Sequence, residues 1–184
     1  MTADLFGADA PKASGEGEIY FCFKPSPAVI EQVSLLVLAL KAEGLVTRVR
    51  PPDTLHVSIA SVGPYQDVRE IAARASAIAD CFRGKRFTFE ISQLLPFGGP
   101  TAVLAPMVTP ASASDLQRNL ALGTQRPGFK PKVGLNAHMT IAYTDVPITA
   151  RRLDRVIMWP VTDFFLILSR PNIGHEELGS WPLT

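Results

Sequence analysis

A fold of mixed strands and helices in two related lobes is what this sequence predicts, on three observations. Its 184 residues suffice for one sizeable core. Short apolar runs of strand character alternate with longer runs of helical character along the chain. And one four-residue design occurs twice, as His56-Val57-Ser58-Ile59 and as His138-Met139-Thr140-Ile141. Each copy is a histidine, an apolar residue, a hydroxyl residue and an isoleucine.

The elements follow in order. Residues 1–16 are small, polar and Gly/Ala/Pro-bearing, and read as a flexible tail before one domain over 17–184. Ile19-Tyr20-Phe21-Cys22-Phe23 reads as a buried strand ended by Lys24-Pro25. Ser26-Pro27 starts a helix, as N-cap serine and first-turn proline, and Gly44 ends it. Residues 46–50 form a short strand or extended loop, Pro51-Pro52-Asp53 turns the chain, and the first histidine strand runs over 54–61. Asp67 is placed to cap a helix reaching Phe82, and residues 86–95 alternate as a strand with Phe87, Phe89 and Ile91 on one face. After the loop Pro96-Phe97-Gly98-Gly99-Pro100 the order repeats: a strand over 101–108, a helix capped by Ser112 or Ser114 and reaching Leu122, and the second histidine strand over 135–143. A helix over 149–157, a strand over 161–169 and a loop-like tail through His175 to Trp181-Pro182-Leu183 complete the reading.

Successive side chains of a strand point to opposite faces. His56 therefore shares a face with Ser58, and His138 with Thr140, while the apolar residues between them face a core. Each half reads strand, helix, histidine strand, helix, strand. Two such lobes related by a pseudo-two-fold axis bring the histidine strands face to face across a groove, a common place for a ligand.

Composition narrows the function. A formal net charge of +1 does not fit a protein that tracks long nucleic acids through many phosphate contacts. Cys22 and Cys81 have no CxxC spacing and read as buried thiols. The start Met1-Thr2-Ala3-Asp4-Leu5-Phe6 lacks the basic and apolar regions of a signal peptide, and the apolar run at 29–40 is short of the ~20 residues a membrane span needs. A soluble, cytoplasmic, monomeric chain with no membrane contact and no obligate protein partner is expected.

Two imidazoles of ordinary pKa near 6.5 suit a general acid and a general base at neutral pH. Two hydroxyls beside them suit the oxygens of a phosphate whose charge builds during reaction. Because no carboxylate cluster or metal-ligand set accompanies them in the sequence, phosphoryl chemistry without metal or cofactor is expected, which favours a strained cyclic phosphodiester.

At these residues the chain resembles the two-histidine (2H) phosphoesterase superfamily, and within it the LigT-like RNA 2′,3′-cyclic phosphodiesterases, also called 2′-5′ RNA ligases. The paired H-x-[S/T]-apolar motifs carry the resemblance, and the ending Phe165-Leu166-Ile167-Leu168-Ser169 with Trp181-Pro182-Leu183 extends it over nearly the whole chain. It implies a bilobal α+β fold, with two antiparallel sheets facing a central groove and helices outside. It implies hydrolysis of a cyclic phosphate on an RNA end or nucleotide to a 2′-phosphate, with reversible 2′-5′ ligation in the same branch. By carry-over His56 donates a proton to the leaving ribose oxygen, His138 activates water, and Ser58 and Thr140 hold the phosphate. The chain departs from the family at Ser58, where threonine is more usual, and at Tyr143, where the RNA-directed branch often has a basic residue. Arg48, Arg126, Lys130 and Lys132 are candidates for the missing charge, and Tyr143 and Phe23 for substrate contacts.

Plainer readings stand beside these. A zinc site needs a third ligand beyond the two histidines, and His175 with Glu176 falls in the tail, where His175 reads as solvated. Tyr20, Phe21 and Phe23 have the composition of core, Trp159 and Trp181 that of packing at a sheet end, and Arg151, Arg152 and Arg155 that of a solvated helix face. The alternative to an enzyme is a binding module that holds an RNA end or nucleotide in the same groove without turnover.

Overall fold

The computed structural model describes residues 17–63, 68–125, 133–170 and 173–184. The order of elements is β1 (Glu18–Phe23), α1 (Pro27–Ala42), β2 (Arg48–Val49), a 3-10 turn (Pro52–Thr54), β3 (Val57–Gly63), α2 (Val68–Asp80), β4 (Phe87–Pro96), β5 (Thr101–Pro106), α3 (Ala111–Gly123), β6 (Met139–Tyr143), β7 (Arg151–Val161), β8 (Asp163–Arg170) and β9 (Gly174–Pro182). It is an α+β fold in which every strand pairing is antiparallel.

Helix α1 shows how local sequence builds an element. Pro27 occupies the first turn, and the carbonyl of Ser26 accepts the Val29 and Ile30 N–H groups, although the serine side chain makes no cap bond. Val29, Val33, Val37 and Leu40 fall on one face and are buried. Gly44, at φ +74°, closes the helix: its N–H reaches the Lys41 carbonyl and the Leu45 N–H reaches the Leu40 carbonyl. This is a Schellman closure, and a left-handed residue there favours glycine.

The strands run β7-β4-β5-β6-β3-β1-β8-β9, with β2 on β6. Strands β3 and β6 meet at one register position, Val57↔Met139, the residues that follow the two histidines. Outward from this seam the halves mirror each other: β3, β1, β8, β9 on one side and β6, β5, β4, β7 on the other. Helix α1, which follows β1, packs on β6 and β7, and α3, which follows β5, packs on β3. Each helix thus covers the histidine strand of the opposite half, burying the core residues Phe21, Phe23, Val57, Met139, Ile141 and their neighbours.

Several expectations are corrected. Residues expected to be helical at 149–157 begin strand β7, because Ile157, Trp159 and Val161 alternate inward and pair with Ile91, Phe89 and Phe87. Arg151, Arg152 and Arg155 therefore lie on an exposed strand, and the second half has no helix after its histidine strand among the described residues. The tail is strand β9, zipped along β8 from Asp163↔Pro182 to Arg170↔Gly174. The histidine strands are joined edge to edge at the seam, not face to face. Helix α3 is preceded by Pro110, without a serine cap, and Cys81 is exposed, while Cys22 is buried as expected. Asp67 lies outside the described residues.

Candidate active site

Both histidines sit one residue before their strands, and both are held in the same way. The His56 Nδ1 is 2.8 Å from the Thr54 carbonyl, and the His138 Nδ1 is 2.7 Å from the Asn136 carbonyl. A carbonyl only accepts, so each Nδ1 carries a proton and donates it, and in each neutral ring Nε2 is left as the basic nitrogen. The same device appears on both sides of the seam, two residues upstream of each ring.

Two bulges shape the faces beside the rings. Cys22 pairs with Ser58 while Phe21 pairs with Ala60, so β3 carries an extra residue, Ile59. Val103 pairs with Thr140 while Ala102 pairs with Ala142, so β6 carries an extra residue, Ile141. Such a bulge shifts the alternation beyond it. Thr101 and Val103 share a face, so their partners Tyr143 and Thr140 share one too. Tyr143 thereby reaches the His138 side of the strand, and the Arg48 guanidinium lies 5.5 Å from its ring centroid.

The site gathers residues from both halves. Ser58 and His138 line one concavity with Phe97, Gln117, Thr124 and Asn136. Phe97 stacks on His138 at 4.0 Å between ring centroids and 27° between planes. His56 is flanked instead by Tyr20, whose hydroxyl is 3.1 Å from its Nε2. Burial, helped by the positive charges of His175, Arg50 and His138, pushes the His56 pKa down to about 4, against a weaker upward effect of its bond to Thr54. His56 is therefore neutral in the free protein at pH 7.

The expected site residues divide. His56, His138, Ser58 and Thr140 flank the seam pair Val57↔Met139, while Tyr143 and Arg48 pair with each other further along β6. Phe23 does not: it is fully buried between Phe87 and Phe89, with ring centroids 5.2 and 5.7 Å away, so it is core and not a substrate contact. Lys130, Arg126 and Lys132 lie outside the described residues. Trp181 packs as expected, stacked on Phe164 and donating from Nε1 to the Asp80 carboxylate at 2.6 Å.

Three residues were missed. Tyr20, assigned to the core, turns with Cys22 and Ile167 into a small cluster apart from the main core. His175, assigned to a solvated tail, lies on β9 with its ring centroid 5.0 Å from that of His56. The Arg50 Nε is buried without a hydrogen-bond partner, and its charge lowers the pKa of both His56 and His175. The alternation of Tyr20 with Phe21 and Phe23 was the one local sign available; nothing local marked His175. Among the described residues no group of three or more His, Cys, Asp and Glu side chains converges as a metal site.

Neither a family model nor a curated protein matches the sequence. Solved structures do match the fold. E. coli LigT without ligand superposes with a TM-score of 0.77 at 20% identity, over 93% of this chain and 99% of that one. A structure described as a phosphoesterase gives 0.76 at 21% identity, over 92% and 99%. TT0787 of Thermus thermophilus gives 0.67 at 17% identity, over 90% and 97%. By its architecture the chain shares the fold of E. coli LigT and of these other structures, with a histidine strand on either side of a central seam.

Proposed function

We propose that the chain hydrolyses 2′,3′-cyclic phosphates on RNA ends or nucleotides to 2′-phosphates, with His56 as acid and His138 as base. The observation that carries this reading is the matched pair of rings, each locked through Nδ1 to a carbonyl two residues upstream with Nε2 left for chemistry. His138 Nε2 takes a proton from water as its oxygen attacks phosphorus. The P–O3′ bond breaks, and protonated His56 Nε2 gives its proton to the departing ribose oxygen. Ser58 and Thr140 donate hydrogen bonds to the phosphate oxygens, and Arg50 adds positive charge where Tyr143 brings none. A phosphate anion beside His56 favours the protonated ring and offsets the effect of burial. Crystal structures of E. coli LigT complexed with 3′-AMP and with phosphate accord with an anion or nucleotide as the ligand of this fold. Reversible 2′-5′ ligation is the same bond exchange with a ribose hydroxyl in place of water.

Hydrolysis of a 2′,3′-cyclic nucleotide, and of an oligoribonucleotide ending in one, tests the proposal with EDTA present. Turnover to the 2′-phosphate is expected, and His56→Ala and His138→Ala should each lower it by at least about a hundredfold while binding is retained. Near-normal turnover in either variant defeats the assignment. Tight binding without turnover by the unaltered chain identifies a binding module.

A further inference from the structure

Tyr20 and His175 form a chain of hydrogen bonds that the two-histidine reaction does not use. The Tyr20 hydroxyl lies 3.1 Å from His56 Nε2 and 3.3 Å from His175 Nε2. The direction of each bond follows from the first. His56 spends its Nδ1 proton on the Thr54 carbonyl, so its Nε2 accepts from the Tyr20 hydroxyl. A phenol has one proton to donate, so its oxygen accepts the Nε2–H of His175. The Ser169 side chain also bonds Tyr20, which the second lone pair of the phenol oxygen accommodates. His175 sits on β9, half-buried, so the chain runs from the solvent edge to the buried side of His56.

We propose that His175 and Tyr20 are a proton relay that reloads His56 between turnovers. The proposal rests on the reading of His56 as the acid. After His56 has given up its proton and the product has left, its Nε2 is bare and the Tyr20 hydroxyl returns to it; the proton is passed on as the next cyclic phosphate anion enters and favours the imidazolium. Tyr20 passes its proton to His56 Nε2, takes the Nε2 proton of His175, and His175 gains one from solvent at Nδ1. One proton enters and one arrives at His56; Tyr20 ends neutral, and His175, left as its Nδ1–H tautomer, regains its Nε2–H by exchange of the Nδ1 proton with solvent before the next turnover. During the chemical step the leaving oxygen takes the place of the hydroxyl at Nε2.

The surroundings suit a relay better than a fixed charge. Burial holds Tyr20 protonated, with Cys22 and Glu18 acting in the same direction and Ser169 and Arg50 against it. Burial, Arg50 and Lys24 lower the His175 pKa, and Asp53 raises it, while Lys24 is itself paired with Glu177 at 2.8 Å. Tyr20 and His175 are thus both uncharged at neutral pH, and neither stores a charge beside His56.

The test uses Tyr20→Phe, which keeps the ring, and His175→Ala on the full-length chain. Each should lower kcat about tenfold with KM unchanged, the deficit growing as pH rises and proton supply falls. Added imidazole should restore His175→Ala in a concentration-dependent way and leave Tyr20→Phe unrestored. Wild-type kcat in both variants, or a deficit in KM that imidazole does not touch, overturns the relay while leaving the two-histidine reading intact if His56→Ala is dead. Nitrogen-15 NMR of the histidine rings is independent of turnover. It should find His56 protonated at Nδ1 and His175 at Nε2, and the opposite tautomer in either ring breaks the relay. An unaltered chain with no hydrolysis overturns the catalytic reading and the relay's role with it.

Discussion

His56 couples the stability of the fold to pH. In the unfolded chain its pKa is the ordinary 6.5, and in the folded chain burial lowers it to about 4. Between these values the unfolded state binds more protons, so stability rises with pH over that interval. The contribution is fully present above 6.5 and is lost as pH falls towards 4, by about 3 kcal/mol in total. Denaturant unfolding at a series of pH values should show this slope, and His56→Gln should flatten it. An unchanged slope in the variant would mean that other groups carry it. Phe97 matters to the second histidine in another way. Its ring stacks on His138, so Phe97→Ala frees the imidazole to turn about its bond to Asn136. A fall in turnover of about tenfold is expected, with the stability loss set by the modest burial of Phe97, and kinetics beside unfolding curves would separate the two.

Among the elements, β7 decides how the outer half of the sheet is closed. Its inward residues interlock with β4, Trp159 against Phe89 at 5.3 Å between ring centroids. Trp159 is 1% exposed, and truncating it leaves a large cavity. Trp159→Ala should cost about 3–5 kcal/mol of stability in chemical denaturation, and a loss well short of this range would mean the strand packs otherwise. In molecules that remain folded kcat should be kept, since β7 lies at the far edge from the seam. Strand β9 has the opposite significance. It buries little on its own, and its outer residues Glu176 and Glu177 are exposed, but it delivers His175 to the site.

The whole molecule is organised about the Val57↔Met139 pair. Two four-stranded sets, β3-β1-β8-β9 and β6-β5-β4-β7, meet there, and each histidine is the residue immediately before the paired one. Packing at this point therefore sets the distance between the two histidines. Met139 is fully buried. Met139→Ala should lower stability by about 2–5 kcal/mol and, unlike Trp159→Ala, also lower kcat about tenfold at a temperature where both variants are folded. Equal kcat in the two variants would show that the seam is not what positions the rings. No helix among the described residues is long and apolar enough to cross a membrane.

What the sequence determined by itself is whatever short-range pattern encodes. The period of Val29, Val33, Val37 and Leu40, with Gly44 after it, specifies α1. The alternation around His56 and His138 specifies two strands with a hydroxyl beside each imidazole. Those signals are local, and the paired motifs mark the candidate site. Only the tertiary structure decided the rest. Residues 149–157 were open to either helix or strand until β4 supplied partners for Ile157, Trp159 and Val161. The bulges at Ile59 and Ile141 exist only in relation to β1 and β5, so the side reached by Tyr143 was not written in β6 itself. Tyr20 and His175 are 155 residues apart and meet because β8 pairs with both β1 and β9. Strand pairing is non-local, and the residues on either side of such a pairing carry no mark of their partners.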